Sequence, residues 1–367
     1  MQYRSFGKTG EKVSVLGFGC MRFPQKDGKI DREIATKMLR SAIDAGVNYL
    51  DTAYVYQEGD SESFLGEALQ DGYREKVLLA DKCPPWCVKS EEDFDKILNT
   101  SLERLQTEYI DFYLLHALDR ENWETVKRFH LIEKMHEAKA AGKVRHLGFS
   151  FHGDLELFKE IIDVYADCAF CQIQFNYVDT QIQAGLEGLR YAAEKGLGVV
   201  IMEPIRGGVL AEPPAAVAQC LNPDVPYARQ ALDFVWDFEE VSLLLSGMST
   251  QSQVDENLLW ASEAKTGRLT ETQKQAYAAA KTAWENSYLI ACTACGYCMP
   301  CPAGLDIPNI YKFYNACAAR RTHESKRYAA LQKKAADCIC CGKCTKICPQ
   351  HIDGKQMMEK VKAWFQG

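Results

Sequence analysis

The amino-acid sequence predicts an α/β protein: a (β/α)8 barrel followed by a small, mostly α-helical, cysteine-rich domain. Three observations carry the prediction. Eight short apolar runs recur, each followed by a stretch with helical spacing. Ten of the sixteen cysteines fall between Cys292 and Cys348. The formal charge changes sign along the chain: residues 286–367 hold 12 Lys/Arg against 5 Asp/Glu, whereas the whole chain stands at −7.

The apolar runs cover residues 13–19, 47–53, 77–82, 110–116, 144–150, 169–176, 198–203 and 241–247. Most are continuous rather than alternating, as strands buried on both faces require. Residues 31–45 place Ile34, Met38, Leu39 and Ile43 on one helical stripe. Residues 90–105 open on Ser90 as an N-cap, with Asp93 three positions later as an approximate capping box. Gly46, Gly142 and Gly196 stand just past helix ends, where a left-handed residue is wanted. Eightfold strand–helix alternation matches a TIM barrel. A doubly wound open sheet is the alternative, but no G-x-G-x-x-G follows the first run.

After Glu263 the pattern changes. Residues 269–284 read as one connecting helix; residues 307–331 and 355–365 are also helical in character. The expected division is a barrel over 1–265, a connector over 266–285 and a cysteine-rich domain over 286–367. That last part lacks the apolar content to fold alone, so bound metal is expected to stabilise it.

The N-terminus, Met1-Gln2-Tyr3-Arg4, shows no apolar signal segment, and no window approaches the roughly 18 uncharged apolar residues of a membrane span. A cytoplasmic protein without a membrane partner is expected. Thiols stay reduced in that compartment, so the cysteine cluster points to metal rather than disulfides.

The cysteines form two runs. The first is Cys292-x-x-Cys295-x-x-Cys298-x-x-Cys301-Pro302; the second is Cys338-x-x-Cys341-x-x-Cys344-x-x-x-Cys348-Pro349. The second has the bacterial ferredoxin spacing, in which three thiolates of one loop grip one cluster and the fourth reaches the other. Gly296 and Gly342 are expected to let each loop pass close to the inorganic core. Two 4Fe-4S clusters follow. Cys292, Cys295, Cys298 and Cys348 would hold one; Cys338, Cys341, Cys344 and Cys301 would hold the other. The first run is one residue short before Cys301. Cys317 and Cys340 are left over as bystander thiols. Zinc is the competing reading, but zinc sites use two separated pairs rather than triplets with a Cys-Pro end. The helical spacer resembles the α-helical ferredoxin domains of anaerobic and respiratory oxidoreductases. A basic tail could serve nucleic acid. Compensation of the negative charge of iron-bound thiolates explains it without such a partner, and suits docking of a ferredoxin or flavodoxin electron carrier.

Polar residues gather at the ends of the apolar runs. Asp51 and Tyr56 lie in Asp51-Thr52-Ala53-Tyr54-Val55-Tyr56, Lys82 ends the third run and His116 the fourth. Barrel enzymes place their chemistry there. Reducing a carbonyl takes a hydride on carbon and a proton on oxygen. A tyrosine serves as that acid only when its pKa, ordinarily ~10, is brought toward working pH, which a nearby ammonium does by favouring phenolate. Asp51 would hold Lys82 charged and placed, and His116 would orient the carbonyl oxygen.

This set resembles the aldo-keto reductase family over about residues 1–265. The resemblance rests on Leu16-Gly17-Phe18-Gly19, the Asp51…Tyr56 spacing, Lys82, His116, Gly148-Phe149-Ser150, Gln172…Asn176, Glu203-Pro204-x-x-Gly207-Gly208 and Glu256-Asn257. With the cysteine domain it looks like the ferredoxin-fused branch of that family. The resemblance implies a nicotinamide cofactor, NAD(H) or NADP(H). Ser150 and Gln172 would hold its carboxamide, Gly247 and Met248 with Ser249 and Thr250 its phosphates, and Glu256 and Asn257 its adenine. Met202 or Glu203 stands where the family stacks an aromatic ring. Residues 247–253 contain no Lys or Arg for a 2′-phosphate, so NADH is the expected cofactor. Met21, Arg22, Trp86 and Arg206 are candidate pocket residues, the two arginines suiting an anionic substrate. A dehydratase-like reaction on the same site and a redox-sensing or electron-transfer module are the alternatives to carbonyl–alcohol chemistry.

Overall fold

The computed structural model describes residues 1–287, 290–318 and 324–366. Eight strands close a parallel barrel in sequence order: β1 (Leu16–Gly19), β2 (Tyr49–Asp51), β3 (Leu78–Cys83), β4 (Ile110–Leu118), β5 (Val144–Phe151), β6 (Phe170–Gln174), β7 (Gly198–Met202) and β8 (Leu243–Ser246). All eight expected runs therefore contain a barrel strand. The first run also takes in Val13, which belongs to a short antiparallel ribbon, Tyr3–Ser5 with Lys12–Ser14. That ribbon and the residues beside it plug one end of the barrel. Phe6 and Val13 join Tyr49, Ala80, Phe112, Leu114, Phe170, Val200, Leu243 and Leu245 in one buried cluster. Phe6 meets Phe112 with ring centroids 4.8 Å apart and Phe170 at 5.4 Å.

The helices of the barrel region are α1 (Arg32–Asp44), α2 (Asp60–Ala68), α3 (Glu91–Arg104), α4 (Arg120–Arg128), α5 (Leu131–Ala140), α6 (Leu155–Val164), α7 (Gly185–Glu194), α8 (Ala215–Ala218), α9 (Tyr227–Trp236) and α10 (Gln251–Ser262). Their termini follow local chemistry. Asp31 caps α1 by accepting from Ile34 N at 3.2 Å, and Asp93 accepts from Ser90 N at 2.9 Å at the head of α3. Gly46, Gly142 and Gly196 take φ of 100°, 73° and 82° at the helix ends where they were expected. One residue falls off its stripe: α1 buries Ala35, Met38, Leu39, Ala42 and Ile43, while Ile34 is exposed.

The chain divides into two compact units. The first is Met1–Pro204 with Leu232–Leu269; the second is Ile205–Ala231 with Thr270–Gly367. The second contains α11 (Glu271–Glu285), α12 (Ile307–Ala318), α13 (Glu324–Ala329), α14 (Lys343–Lys346) and α15 (Gly354–Gln366). The segment read as a connector is thus α11, headed by a Thr270–Gln273 capping box. It packs with the stretch that follows β7: Tyr277 Oη donates to Gln230 O at 2.8 Å, and the Arg206 guanidinium lies 4.9 Å from the Trp284 ring centre. Residues 307–331, expected to be helical, carry α12 and α13 among the described residues. The core of this unit is small and rich in tyrosine: Ile290, Leu305, Ile310, Tyr311, Tyr314, Tyr328, Met358 and Val361. Among the described residues, no helix is long and apolar enough to cross a membrane.

Candidate active site and cysteine cavities

Strand side chains alternate, so residues two apart share a face. Stepping two residues from each plug residue reaches a polar or small one at the carboxyl end of its strand. Tyr49 leads to Asp51, Ala80 to Lys82, Leu114 to His116, Phe170 to Gln172, Val200 to Met202 and Leu245 to Gly247. Gly148, beside Phe170 in the strand register, leads to Ser150.

Lys82 and Asp51 form a buried ion pair, Nζ to Oδ1 at 2.7 Å, with side chains 1% and 3% exposed. The same ammonium donates to Thr52 O at 2.7 Å. Burial raises the pKa of Asp51, while Lys82 and a hydrogen bond from Gln172 pull it back. The pair is read as ionised, since breaking either half would strand a buried charge. Tyr56 heads a tight turn, Tyr56–Gly59, between β2 and α2. Its ring centre lies 5.1 Å from Lys82 Nζ and 5.9 Å from that of His116. Burial, then the charges of Lys82 and His152, hold His116 well below the ordinary histidine range, so the imidazole is neutral. Trp86, partly exposed on the loop after β3, sits 5.1 Å from the His116 ring and walls the same space. The four residues expected to act together are therefore gathered at one end of the barrel, with Trp86 beside them.

The residues expected at a cofactor are distributed around the same rim. Ser150 and Gln172 are paired across β5 and β6 and are both buried. Ser150 Oγ accepts from Ala117 N at 2.7 Å. Gln172 Oε1 is buried without a hydrogen-bond partner, an acceptor aimed where a carboxamide N–H would satisfy it. Met202 ends β7 and is half-buried. Gly247 and Met248 lead into the Thr250-capped N-terminus of α10, a natural seat for phosphate. Glu256 is exposed, whereas Asn257 is turned inward and donates to Ser246 Oγ at 2.8 Å.

Two of the candidate pocket arginines have described contacts. Arg206 is buried and engaged with Trp284 within the second unit. Arg22 packs its alkyl chain on Gly247, and Ser249 Oγ donates to its carbonyl at 2.7 Å. Arg22 thus brings a guanidinium to a loop whose own stretch has none. A residue 225 positions away in the chain could not be assigned to that loop from sequence spacing.

In the second unit the cysteines surround two cavities. The first is lined by Cys292, Cys295, Cys298 and Cys348, with Cys344, Ile307 and Tyr311. The second is lined by Cys301, Cys338, Cys341 and Cys344, with Cys298, Cys340 and Ile339. Among the described residues, no three His, Cys, Asp or Glu side chains converge as a single ion requires; the sulfurs stand around voids instead. Backbone amides reach two of them, Ala294 N to Cys292 Sγ and Cys340 N to Cys338 Sγ, both at 3.4 Å. Burial and neighbouring sulfurs push the Cys298 thiol up to about 12. Only bound metal could hold such a group as thiolate. Gly296 and Gly342 have left-handed φ of 82° and 75°, a conformation that favours glycine at each. The Cys317 side chain lies outside the described residues.

Comparison with known proteins agrees with this geometry. A model of the aldo/keto reductase family matches residues 15–268, and one of a 4Fe-4S dicluster domain matches residues 291–353. L-galactose dehydrogenase of Arabidopsis thaliana is 29% identical over 294 residues, 72% of this chain and 89% of that one. An aldo-keto reductase structure from Bacillus halodurans, in its holo form, superposes with a TM-score of 0.64 at 27% identity, covering 76% of this chain and 96% of that one. A Klebsiella pneumoniae aldo/keto reductase solved with NADP and acetate gives 0.61 at 25% identity, covering 74% and 94%. Barrel, site and relatives define an oxidoreductase that acts on a small molecule. The chain belongs to the aldo/keto reductase family and carries a 4Fe-4S dicluster domain in addition.

Proposed function

We propose that the protein is a cytoplasmic oxidoreductase that interconverts a carbonyl and an alcohol with a nicotinamide cofactor, Tyr56 serving as general acid and base. The observation that carries the reading is the buried Lys82–Asp51 pair with its ammonium 5.1 Å from the Tyr56 ring. An ammonium there stabilises the phenolate left when the Tyr56 hydroxyl gives its proton to the substrate oxygen. Neutral His116 orients that oxygen by hydrogen bonding, with Trp86 beside it. Ser150 and Gln172 are the groups for the carboxamide, Gly247, Met248 and Arg22 for the phosphates, and Glu256 and Asn257 for the adenine end. Bound there, a nicotinamide supplies or accepts the hydride. The absence of Lys and Arg from residues 247–253 favours NADH. Tenfold tighter binding of NADPH in a fluorescence titration would overturn that preference.

In the second unit the proposed ligands are Cys292, Cys295, Cys298 and Cys348 for one 4Fe-4S cluster and Cys301, Cys338, Cys341 and Cys344 for the other. When bound, such clusters supply one-electron transfer. The rim of the second cavity is exposed at Ile339, Cys340 and Cys341, with Lys355 on its wall and Lys343 and Lys346 flanking Cys344. An apolar spot ringed by lysines suits an acidic ferredoxin or flavodoxin. Exchange with a reduced ferredoxin that ignores ionic strength would count against that partner. The test of the catalytic reading is Tyr56→Phe. It should abolish nicotinamide-dependent carbonyl reduction while cofactor binding persists; an active Tyr56→Phe protein would reject the role.

A further inference from the structure

A second ionisable group is buried on β3, back to back with the catalytic lysine. Lys82 faces Asp51 inside the barrel, so its neighbour Asp81 faces the layer between the barrel and helices α2 and α3. Asp81 is fully buried, and neither carboxyl oxygen has a well-formed donor. Its neighbour there is Glu62 on α2, equally buried, whose charge bears directly on it. Glu62 Oε2 accepts from Arg104 Nη1 at 2.7 Å, while its Oε1 has no hydrogen-bond partner.

Two carboxylates in contact cannot both stay ionised when one cation faces them. The remaining titratable neighbours are Tyr113 on β4, Cys83 and Lys82 on β3. Burial keeps Tyr113 and Cys83 protonated, and Lys82 is committed to Asp51. Burial, then the charge of Glu62, pushes Asp81 well above the carboxylate range, against the Lys82 backbone N–H and ammonium. The proton therefore sits on Asp81, which donates to Glu62, which in turn takes Arg104.

Arg104 carries the chain of contacts to the tyrosine turn. Its guanidinium lies 4.8 Å from the Tyr54 ring centre and donates to Tyr54 O at 3.4 Å. It also fills the space beside Gly59, where a Cβ would come within 2.5 Å of Cζ. Tyr54 and Gly59 bracket Tyr56. Between them Gln57, Glu58 and Gly59 all take left-handed φ of 45°, 58° and 89°. Such a run persists only where its surroundings over-determine it.

We propose that Asp81 is a positioning residue: as a neutral acid it ties β3 to Glu62 and, through Arg104, fixes the distance between Lys82 and the turn bearing Tyr56. The proposal rests on the reading of Tyr56 as the proton donor. The test compares Asp81→Ala with Asp81→Asn in the cluster-loaded protein. Asp81→Ala should lower kcat about tenfold or more with KM little changed, and should move the pH at which the rate falls. Asp81→Asn keeps an N–H donor toward Glu62 and should restore both. Wild-type kcat and pH profile in Asp81→Ala would overturn the proposal, as would an Asp81→Asn protein as impaired as Asp81→Ala. Infrared spectroscopy covers the case in which Asp81→Ala does not fold. A protonated-carboxyl C=O stretch at pH 7 that vanishes in Asp81→Asn supports the neutral acid; no such band in wild type overturns it. Tyr56→Phe separates the two readings. If that variant is active the catalytic assignment falls, and the infrared band still decides the Asp81–Glu62 pair.

Discussion

In the proposed mechanism Lys82 is the residue on which the chemistry turns, and its value lies in what it does to a neighbouring phenol rather than in stability. A buried ion pair gains little over an apolar pair of the same size, but losing one partner strands a charge at a cost of about 3–5 kcal/mol. Lys82→Met alone should therefore lower the melting temperature as well as the rate, whereas Lys82→Met with Asp51→Asn should recover much of the stability and none of the activity. Thermal unfolding beside steady-state kinetics separates the two effects. Tyr56→Phe should lower kcat/KM by roughly 10²–10⁴ while the Kd for NADH stays within a few-fold. Asp81 contributes a pH dependence to stability. It binds its proton more tightly in the folded chain than in the unfolded one. Its contribution is thus complete below the ordinary carboxylate value of ~3.9 and is lost as pH climbs toward the folded value, at ~1.4 kcal/mol for each unit between them. Asp81→Asn removes that loss, so its apparent melting temperature should gain on wild type from pH 4 to pH 8. A constant difference across that range would show that Asp81 does not hold the proton. Sequence made Asp51, Tyr56, Lys82 and His116 legible because each ends or follows an apolar run. It left Asp81, Glu62 and Arg104 unread. Only tertiary packing shows which of these charges meet.

At the scale of elements, the two-residue period of the strands builds the site. The plug layer and the polar layer are successive inward positions of the same strands, so the packing below sets the geometry above. Phe112 stands at the centre of that plug, meeting Phe6 and Phe170 edge to face. Phe112→Ala should destabilise the protein by about 3–5 kcal/mol, read from denaturant unfolding. A loss below about 1 kcal/mol would mean the plug can collapse around the gap. The eight strands were legible because continuous apolar runs are what a parallel sheet covered on both faces demands. The N-terminal ribbon was not, since its strands are three residues each and too short to show a period. α4 escaped notice for a related reason: it buries only Trp123 and Val126 among otherwise polar residues. Between β8 and α10, Arg22 should serve both nicotinamide cofactors alike. Arg22→Ala should weaken NADH and NADPH by a similar factor, on the order of tenfold, as loss of a charge-assisted phosphate contact implies. A selective loss of NADPH would instead make Arg22 the reader of the 2′-phosphate.

For the whole molecule, the division of labour follows composition. The barrel unit has a large apolar core. The core cluster beside the cysteines in the second unit has ten buried residues, and its cysteines surround voids rather than one another. The excess of Lys and Arg in residues 286–367 is the counterpart of thiolates and clusters that would otherwise repel. That the chain divides at Ile205–Ala231 as well as near Leu269 was not legible. The stretch after β7 reads as an ordinary barrel loop, and its partners, Trp284 and Tyr277, lie some 50–80 residues downstream. The measurement that tests the account most directly is the iron and sulfide content of protein purified without oxygen, taken with its visible spectrum. The account predicts about eight irons and eight sulfides per chain, with a broad absorbance that dithionite bleaches. Zinc in their place, or folded protein with no metal at all, would contradict it.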